Sequence, residues 1–183
     1  MRAPDPAGTP VPFGSAGPIK FQPYPSSWQD SALIDYVTRT SGGSLTSTPQ
    51  TSSGKPSGTL LGADWTAASD NLKYSASIYR NTAGQVEVIQ CYVSGQRIAD
   101  SVNFLENCLG DAVPDAEAAT ARSWASTQAK ALIADVAGSP KQIFTSPQPA
   151  FGDTRTVMRG DMNLSVNPAT PTLMLYLTSA SAH

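Results

Sequence analysis

The chain has 183 residues, of which 12 are Lys or Arg and 14 are Asp or Glu, so its formal net charge at neutral pH is -2. A chain of this length is typical of one domain and can bury a sizeable core without a metal. Its few basic residues argue against nucleic-acid binding, and no cofactor motif is present. The only histidine is the terminal His183, which argues against His-dependent catalysis and against a zinc site.

Composition also indicates a compartment. No stretch approaches the length of about 18 apolar residues that suggests a membrane helix, so we expect no integral membrane span. The first residues, Met1 to Pro6, do not resemble a signal peptide. The low content of Lys and Glu and the even number of cysteines are typical of secreted or cell-envelope proteins. We therefore expect an extracytoplasmic protein whose leader or anchor is absent from this chain.

The N-terminal part of the chain reads as an appendage to the folded body. Residues 1–26 are rich in proline, which fixes φ and removes backbone donors, so they predict an extended arm. Residues 27–40 predict a short helix that docks on the body, with Ser27 as its N-cap. Residues 41–59 consist mainly of Ser, Thr, Gly and Pro, which is typical of a linker or a long loop.

The remaining residues, 60–183, are expected to form a single α+β domain. Alternating apolar side chains around residues 74–78 and 86–93, separated by a polar turn that ends at Gly84, predict a β-hairpin. Apolar residues then recur at helical spacing from Ile98 to Leu109. Two helices are therefore expected after the hairpin, and the second is the longer.

The long helix is predicted over residues 114–137, because Pro114 suits a first helical turn and Gly138 suits a helix end. Its apolar face consists mostly of small residues, which would let it lie close to a sheet.

Three further strands are predicted near residues 154–159, 162–167 and 172–178. Gly160 and Asp161 would form a tight turn between the first two, and the last strand would be central and covered on both faces. The expected fold is thus an antiparallel sheet of about five strands in the order ββ, helices, βββ. One long helix and one or two short helices would pack on one of its faces.

The two cysteines, Cys91 and Cys108, have three possible states. A disulfide would close a loop of about 17 residues. The alternatives are two buried free thiols and a redox pair, although the spacing differs from Cys-x-x-Cys. We expect the disulfide.

Aromatic side chains are the candidates for recognition. The chain has more large aromatic residues than a core of small residues requires: Trp28, Trp65, Trp124, Tyr24, Tyr36, Tyr79 and Tyr92. The candidates for recognition are Phe21, Tyr24, Trp28 and Trp65. They could bind a protein or polymer partner, or instead dock the arm and fill the core.

Acidic clusters are the remaining candidate chemistry. Asp111, Asp115 and Glu117 surround a predicted helix start, where they would serve as capping and dipole-complementing residues, or could bind calcium. Asp64 and Asp70 flank Trp65, a pattern that fits a turn or a sugar site.

These observations favour a non-catalytic, extracytoplasmic interaction or accessory domain from a bacterial envelope or secreted protein, without cofactor or metal. The alternatives are a structural subunit of an assembly, such as a virion or surface layer, and a glycan hydrolase that uses only carboxylates. The oligomeric state is left open by the sequence.

Overall fold

The computed structural model describes residues 30–138, 143–151, 154–163 and 169–179. The predicted arm at 1–26, with its candidate residues Phe21 and Tyr24, lies outside the described residues, as do Ser27 and Trp28. The elements within the described ranges are helices α1 (Ser31–Ser41), α2 (Val102–Ala112) and α3 (Asp115–Gly138), a short 3₁₀ helix (Ile98–Ser101), and strands β1 (Thr46–Ser52), β2 (Lys55–Thr66), β3 (Lys73–Asn81), β4 (Val86–Ser94), β5 (Phe144–Thr145), β6 (Ala150–Phe151), β7 (Thr154–Asn163) and β8 (Thr170–Ser179).

The strands form one open antiparallel sheet of eight strands in the order β1-β2-β3-β4-β8-β7-β5, and β6 pairs with β7. Three α-helices accompany this sheet in the part of the chain that the structure describes. The predicted α+β class and antiparallel sheet are confirmed. The predicted number of about five strands is too small, because the sequence indicated neither the N-terminal hairpin nor the short strands β5 and β6.

The segment predicted as a linker at 41–59 is instead mostly a β-hairpin. Strands β1 and β2 pair around a tight turn in which Ser53 and Gly54 have positive φ values of 51° and 76°. The side chains of β1 are almost all exposed, because it is an edge strand, and an exposed strand can consist of Ser and Thr without apolar alternation. The folded body therefore begins with β1, upstream of the predicted start at residue 60.

The short helix predicted at 27–40 exists as α1, and its Leu33 and Val37 are buried. It begins at Ser31 rather than at residue 27, with Asp30 as N-cap residue. The Asp30 side chain does not cap the helix; it accepts a hydrogen bond from Arg80 Nη2 of β3 at 2.6 Å. This ion pair fixes the start of α1 to the sheet.

The helices α2 and α3 pack on one face of the sheet, as expected. The buried face of α3 consists of small residues and two larger aliphatic ones: Ala118, Ala121, Ala125, Ala129, Leu132 and Val136. A Cβ added to Gly160 in β7 would lie 3.1 Å from a Val136 methyl and 3.2 Å from Leu132 Cβ. The predicted turn at Gly160 and Asp161 is therefore wrong, because β7 continues through both residues and its glycine makes room for the helix.

Strand β8 is central, as predicted, because it lies between β4 and β7. Its side chains at Leu173, Leu175 and Leu177 are buried beneath the helices. The alternate residues Met174 and Tyr176 are only half-buried on the opposite face, so the expected cover on both faces is not provided by the described helices. None of those helices is both long and apolar enough to cross a membrane.

Candidate functional site

The cysteine pair joins the sheet to a helix. Cys91 lies on β4 and Cys108 on α2, with a Cα–Cα distance of 6.6 Å that is compatible with a disulfide. Both residues have 0% exposed surface. Thiol–disulfide exchange requires access to a sulfur, so this location favours a structural crosslink over a redox function.

Trp65 belongs to an aromatic cluster between the sheet and the helices. Its ring stacks on Tyr74 with the centroids 5.5 Å apart and meets the ring of Phe104 edge-on at 5.6 Å. Tyr36 of α1 stacks against Phe104, with the ring centroids 6.2 Å apart. These contacts give Trp65 a packing role, and its use in recognition stays a prediction.

Asp70 and Tyr74 form a hydrogen-bonded pair at the beginning of β3. The Tyr74 hydroxyl donates to Asp70 Oδ2 at 2.8 Å, and Asp70 Oδ1 accepts from the Leu72 backbone N–H at 2.9 Å. Burial, helped by this hydrogen bond, raises the pKa of Tyr74 above its ordinary value of 10.0. Burial likewise raises the pKa of Tyr36. Asp70 therefore organises a turn and holds a core tyrosine.

The other carboxylates proposed as sites are dispersed. Asp111 forms an ion pair with Arg122, which joins α2 to α3. Asp115 and Glu117 lie in the first turn of α3, where negative charge is stabilised by the helix dipole. Asp64 is exposed on the opposite face of β2 from Trp65. Within the described ranges, no group of three or more His, Cys, Asp or Glu residues could hold a metal ion.

The sheet has a second face that the three helices leave free. We call this the open face and define it by the side chains that alternate with the buried ones along the strands. Its centre is read from the strand register, in which Tyr92 of β4 lies beside Met174 of β8, and Gln90 of β4 lies beside Tyr176 of β8. Val157 of β7 lies beside Tyr176 on the other side. All of these side chains are half-buried.

Two arginines border this centre on β7. Arg155 lies beside Thr178, and Arg159 lies beside Met174. Arg159 also makes an ion pair of 3.6 Å with Asp161 on the same face. The open face thus combines tyrosine, methionine and valine with arginine at the margin.

Sequence reasoning missed this surface because it divided β7 into two strands and could not place β4 beside β8. The available signal was the apolar character of both faces of β8, where Met174 and Tyr176 alternate with buried leucines. That signal was interpreted as a strand covered on both sides.

A cleft of about 490 Å³ lies where β2 begins and β3 ends. It is lined by residues from the first three strands and from the turn after β3: Ser47, Pro56, Gly58, Thr59, Leu61, Arg80, Asn81, Thr82 and Gly84. Leu61 and Ser47 occupy the same register row as the buried Ile78, which places them on the helix-bearing face. Arg80 connects the cleft to the beginning of α1 through its ion pair with Asp30.

Comparisons of the chain with protein families, curated proteins and solved structures give no match.

Proposed function

We propose that this protein is a non-catalytic interaction domain that binds a partner protein through the open face of its sheet, outside the cytoplasm. The observation that carries the proposal is the composition of that face. Tyrosine, methionine and arginine are the residue types enriched where proteins bind each other, and lysine and glutamate are depleted there. The centre of the open face contains Tyr92, Tyr176 and Met174, with Arg155 and Arg159 at its margin.

The physical character of these side chains supports the same role. A tyrosine offers a large amphipathic contact area but loses only two rotatable bonds when it is immobilised. The half-buried rings of Tyr92 and Tyr176 are supported by neighbours on adjacent strands. The exposed face of a sheet suits a broad protein contact better than it suits a small molecule, which binds in a concave pocket.

The edge of the sheet at β1 is a poorer candidate for binding. The exposed edge strand β1 contains Pro49, which cannot donate a backbone hydrogen bond, and its side chains are polar. Both features discourage another strand from pairing with it. Binding through the face therefore has fewer obstacles than strand addition at β1.

The cysteine pair supports the proposed compartment. Disulfides persist in oxidising compartments and are rare in the cytosol. The Cys91–Cys108 pair at disulfide distance is mildly consistent with an extracytoplasmic location.

Site-specific photo-crosslinking in the producing cells tests the proposal. A photoreactive phenylalanine derivative at position 176 is expected to give a discrete adduct with one protein, whereas the same group at the exposed position Lys130 of α3 is expected to give none. The captured protein is then purified, and its affinity for the chain is measured directly.

The double variant Tyr92→Ala/Tyr176→Ala should bind that protein at least about tenfold more weakly, as expected when central aromatic contacts are lost. Lys130→Ala should bind as the unmodified chain does, and circular dichroism should show both variants folded. Equal binding by the double variant, or no adduct at position 176, overturns the proposal. An adduct of twice the mass of the chain supports instead the structural-subunit alternative, in which the open face binds a second copy.

A further inference from the structure

Gly62 lies in the interior of β2 on the open face, and nothing in its own fold requires a glycine there. Its φ is not positive, and a Cβ added to it would meet two atoms of the described residues, Ala76 O at 3.5 Å and Ser77 Cβ at 3.6 Å, both at ordinary contact distance. A glycine weakens the interior of a strand and often marks a place where a ligand or another backbone approaches closely. Gly160 has this role for α3 on the helix-bearing face, but no described residue approaches Gly62 in this way.

The neighbours of Gly62 on β3 are small as well. In the strand register, Ser77 lies beside Gly62, and Ser75 lies beside Asp64. We call the three positions Gly62, Ser75 and Ser77 the depression of the open face, with Asp64 at its side. Larger side chains follow in the same register on the open face: Leu60, Tyr79, Gln90 and Tyr92. The half of the face on β2 and β3 is therefore lower at its centre than the half on β4 and β8.

The polar groups of the depression have no partner within the described part of the chain. The hydroxyls of Ser75 and Ser77 and the carboxylate of Asp64 make no hydrogen bond or ion pair with another described residue. Lys73, two positions before Ser75 on β3, is exposed, and its long side chain can keep its charge in water. A protein that covers the depression removes water from these oxygens, so it must supply hydrogen-bond donors in return.

We infer that the partner protein places an arginine side chain in the depression, an inference that rests on the proposed function of the open face. A guanidinium group is planar, carries five N–H donors, binds a carboxylate through two of them and stacks on aromatic rings. It can therefore donate to Asp64 and to the serine hydroxyls beside the ring of Tyr92. A carboxylate would be repelled by Asp64, and an aliphatic side chain would cover Asp64 without supplying a donor.

Filling the depression is the first test, and it uses the protein captured at position 176. Gly62→Leu should bind that protein at least about tenfold more weakly, because the added side chain takes the place of the arginine. Thr48→Leu adds the same side chain to the open face outside the depression, beside Leu60, and should bind within about twofold of the unmodified chain. Ser77→Leu repeats the filling from β3, and circular dichroism confirms that each variant is folded.

The second test identifies the partner residue. A photoreactive phenylalanine derivative at position 92, beside the depression, should crosslink to the captured protein, and mass spectrometry of the digested adduct should identify a segment that contains an arginine. A double-mutant cycle then combines replacement of this arginine by Gln with Asp64→Asn. Each change alone should weaken binding at least about tenfold, and the second should add little once the first is present. Asp135→Asn, at an exposed position of α3, is the matched control and should leave the affinity unchanged.

The outcomes separate this inference from the proposed function. If position 176 captures a protein, equal binding by Gly62→Leu, Ser77→Leu and the unmodified chain overturns the inference alone. So does an unchanged affinity of Asp64→Asn, the absence of an adduct at position 92, a segment without arginine, or additive effects of the two replacements. A segment that belongs to the chain itself would assign the depression to a second copy and overturns the inference of a separate partner. No adduct at position 176 overturns both the proposed function and this inference.

Discussion

Removing the Cys91–Cys108 crosslink should lower the stability of the protein without preventing folding. The two residues are separated by 17 positions, and a disulfide that closes a loop of this size contributes on the order of 3 kcal/mol through the entropy of the unfolded chain. Domains are typically stable by about 5–15 kcal/mol, so the reduced chain should still fold. For a chain of this size, each kcal/mol shifts the melting temperature by about 2–4 °C, so we expect a decrease of about 6–12 °C.

Burial of both cysteines decides how the experiment is done. Because neither residue is exposed, reductant reaches the sulfurs only when the chain opens. The protein should therefore be reduced in denaturant and refolded with reductant present. Thermal unfolding followed by circular dichroism then compares the oxidised and reduced chains. The double variant Cys91→Ala/Cys108→Ala serves as the control, because reductant should not change its melting temperature.

Intact mass spectrometry supplies the independent check. The unreduced, denatured chain should take up no alkylating agent, and the reduced chain should take up two equivalents. Alkylation of two thiols without prior reduction, or equal melting temperatures for the oxidised and reduced chains, would refute the crosslink. A reduced chain that does not fold would refute the argument that the core is sufficient alone.

Two further substitutions test the packing of the helix-bearing face. Gly160→Val should destabilise the protein by about 1–3 kcal/mol in urea unfolding, because the added side chain meets α3; Gly43→Val, which has no atom within 4 Å of its added Cβ, should change stability little. Burial raises the pKa of Tyr74, so its contribution to stability is intact below pH 10 and is lost as the pH rises above the ordinary tyrosine value of about 10. Tyr74→Phe should therefore lose less stability than the unmodified chain between pH 7 and about pH 11; parallel losses in the two proteins would contradict this assignment.

The elements that could be predicted from the sequence are those with a buried face. The hairpin of β3 and β4 shows apolar alternation because one side of each strand lies under the helices, and α3 shows a face of alanines because it lies against the sheet. The predicted helix after Ile98 also exists, as a 3₁₀ turn followed by α2. In each case, the spacing of apolar residues in the sequence reflects burial of one side of the element by its neighbour.

The elements that could not be predicted show no such regular spacing of apolar residues. Strand β1 is held by backbone hydrogen bonds to β2 and leaves both of its faces exposed, so its composition resembles that of a loop. At Gly160 the misleading signal came from the residue itself. A glycine between polar residues usually indicates a turn, but this glycine is required by the approach of α3, which the local sequence does not show.

The candidate binding surface depends on pairings that are distant in the sequence. Tyr92 and Met174 become neighbours only because β8 pairs with β4, and Arg159 joins them only because β7 pairs with β8. No local pattern specifies that strand order. From the sequence, candidate binding residues could be chosen only by their type, as Trp65 was because it is a tryptophan. In the structure, Trp65 packs within the aromatic cluster.

The arrangement of the sheet links its stability to its proposed use. The helices, the aromatic cluster and the cysteine pair all lie on one face, so the core can be stabilised without any contribution from a partner. Pro49 and the polar side chains of β1 discourage pairing at the exposed edge. The open face is therefore the large surface on which tyrosines, methionine and arginines are supported by a rigid sheet. Side chains held by such a scaffold lose little additional freedom on binding, which favours specific recognition of a partner there.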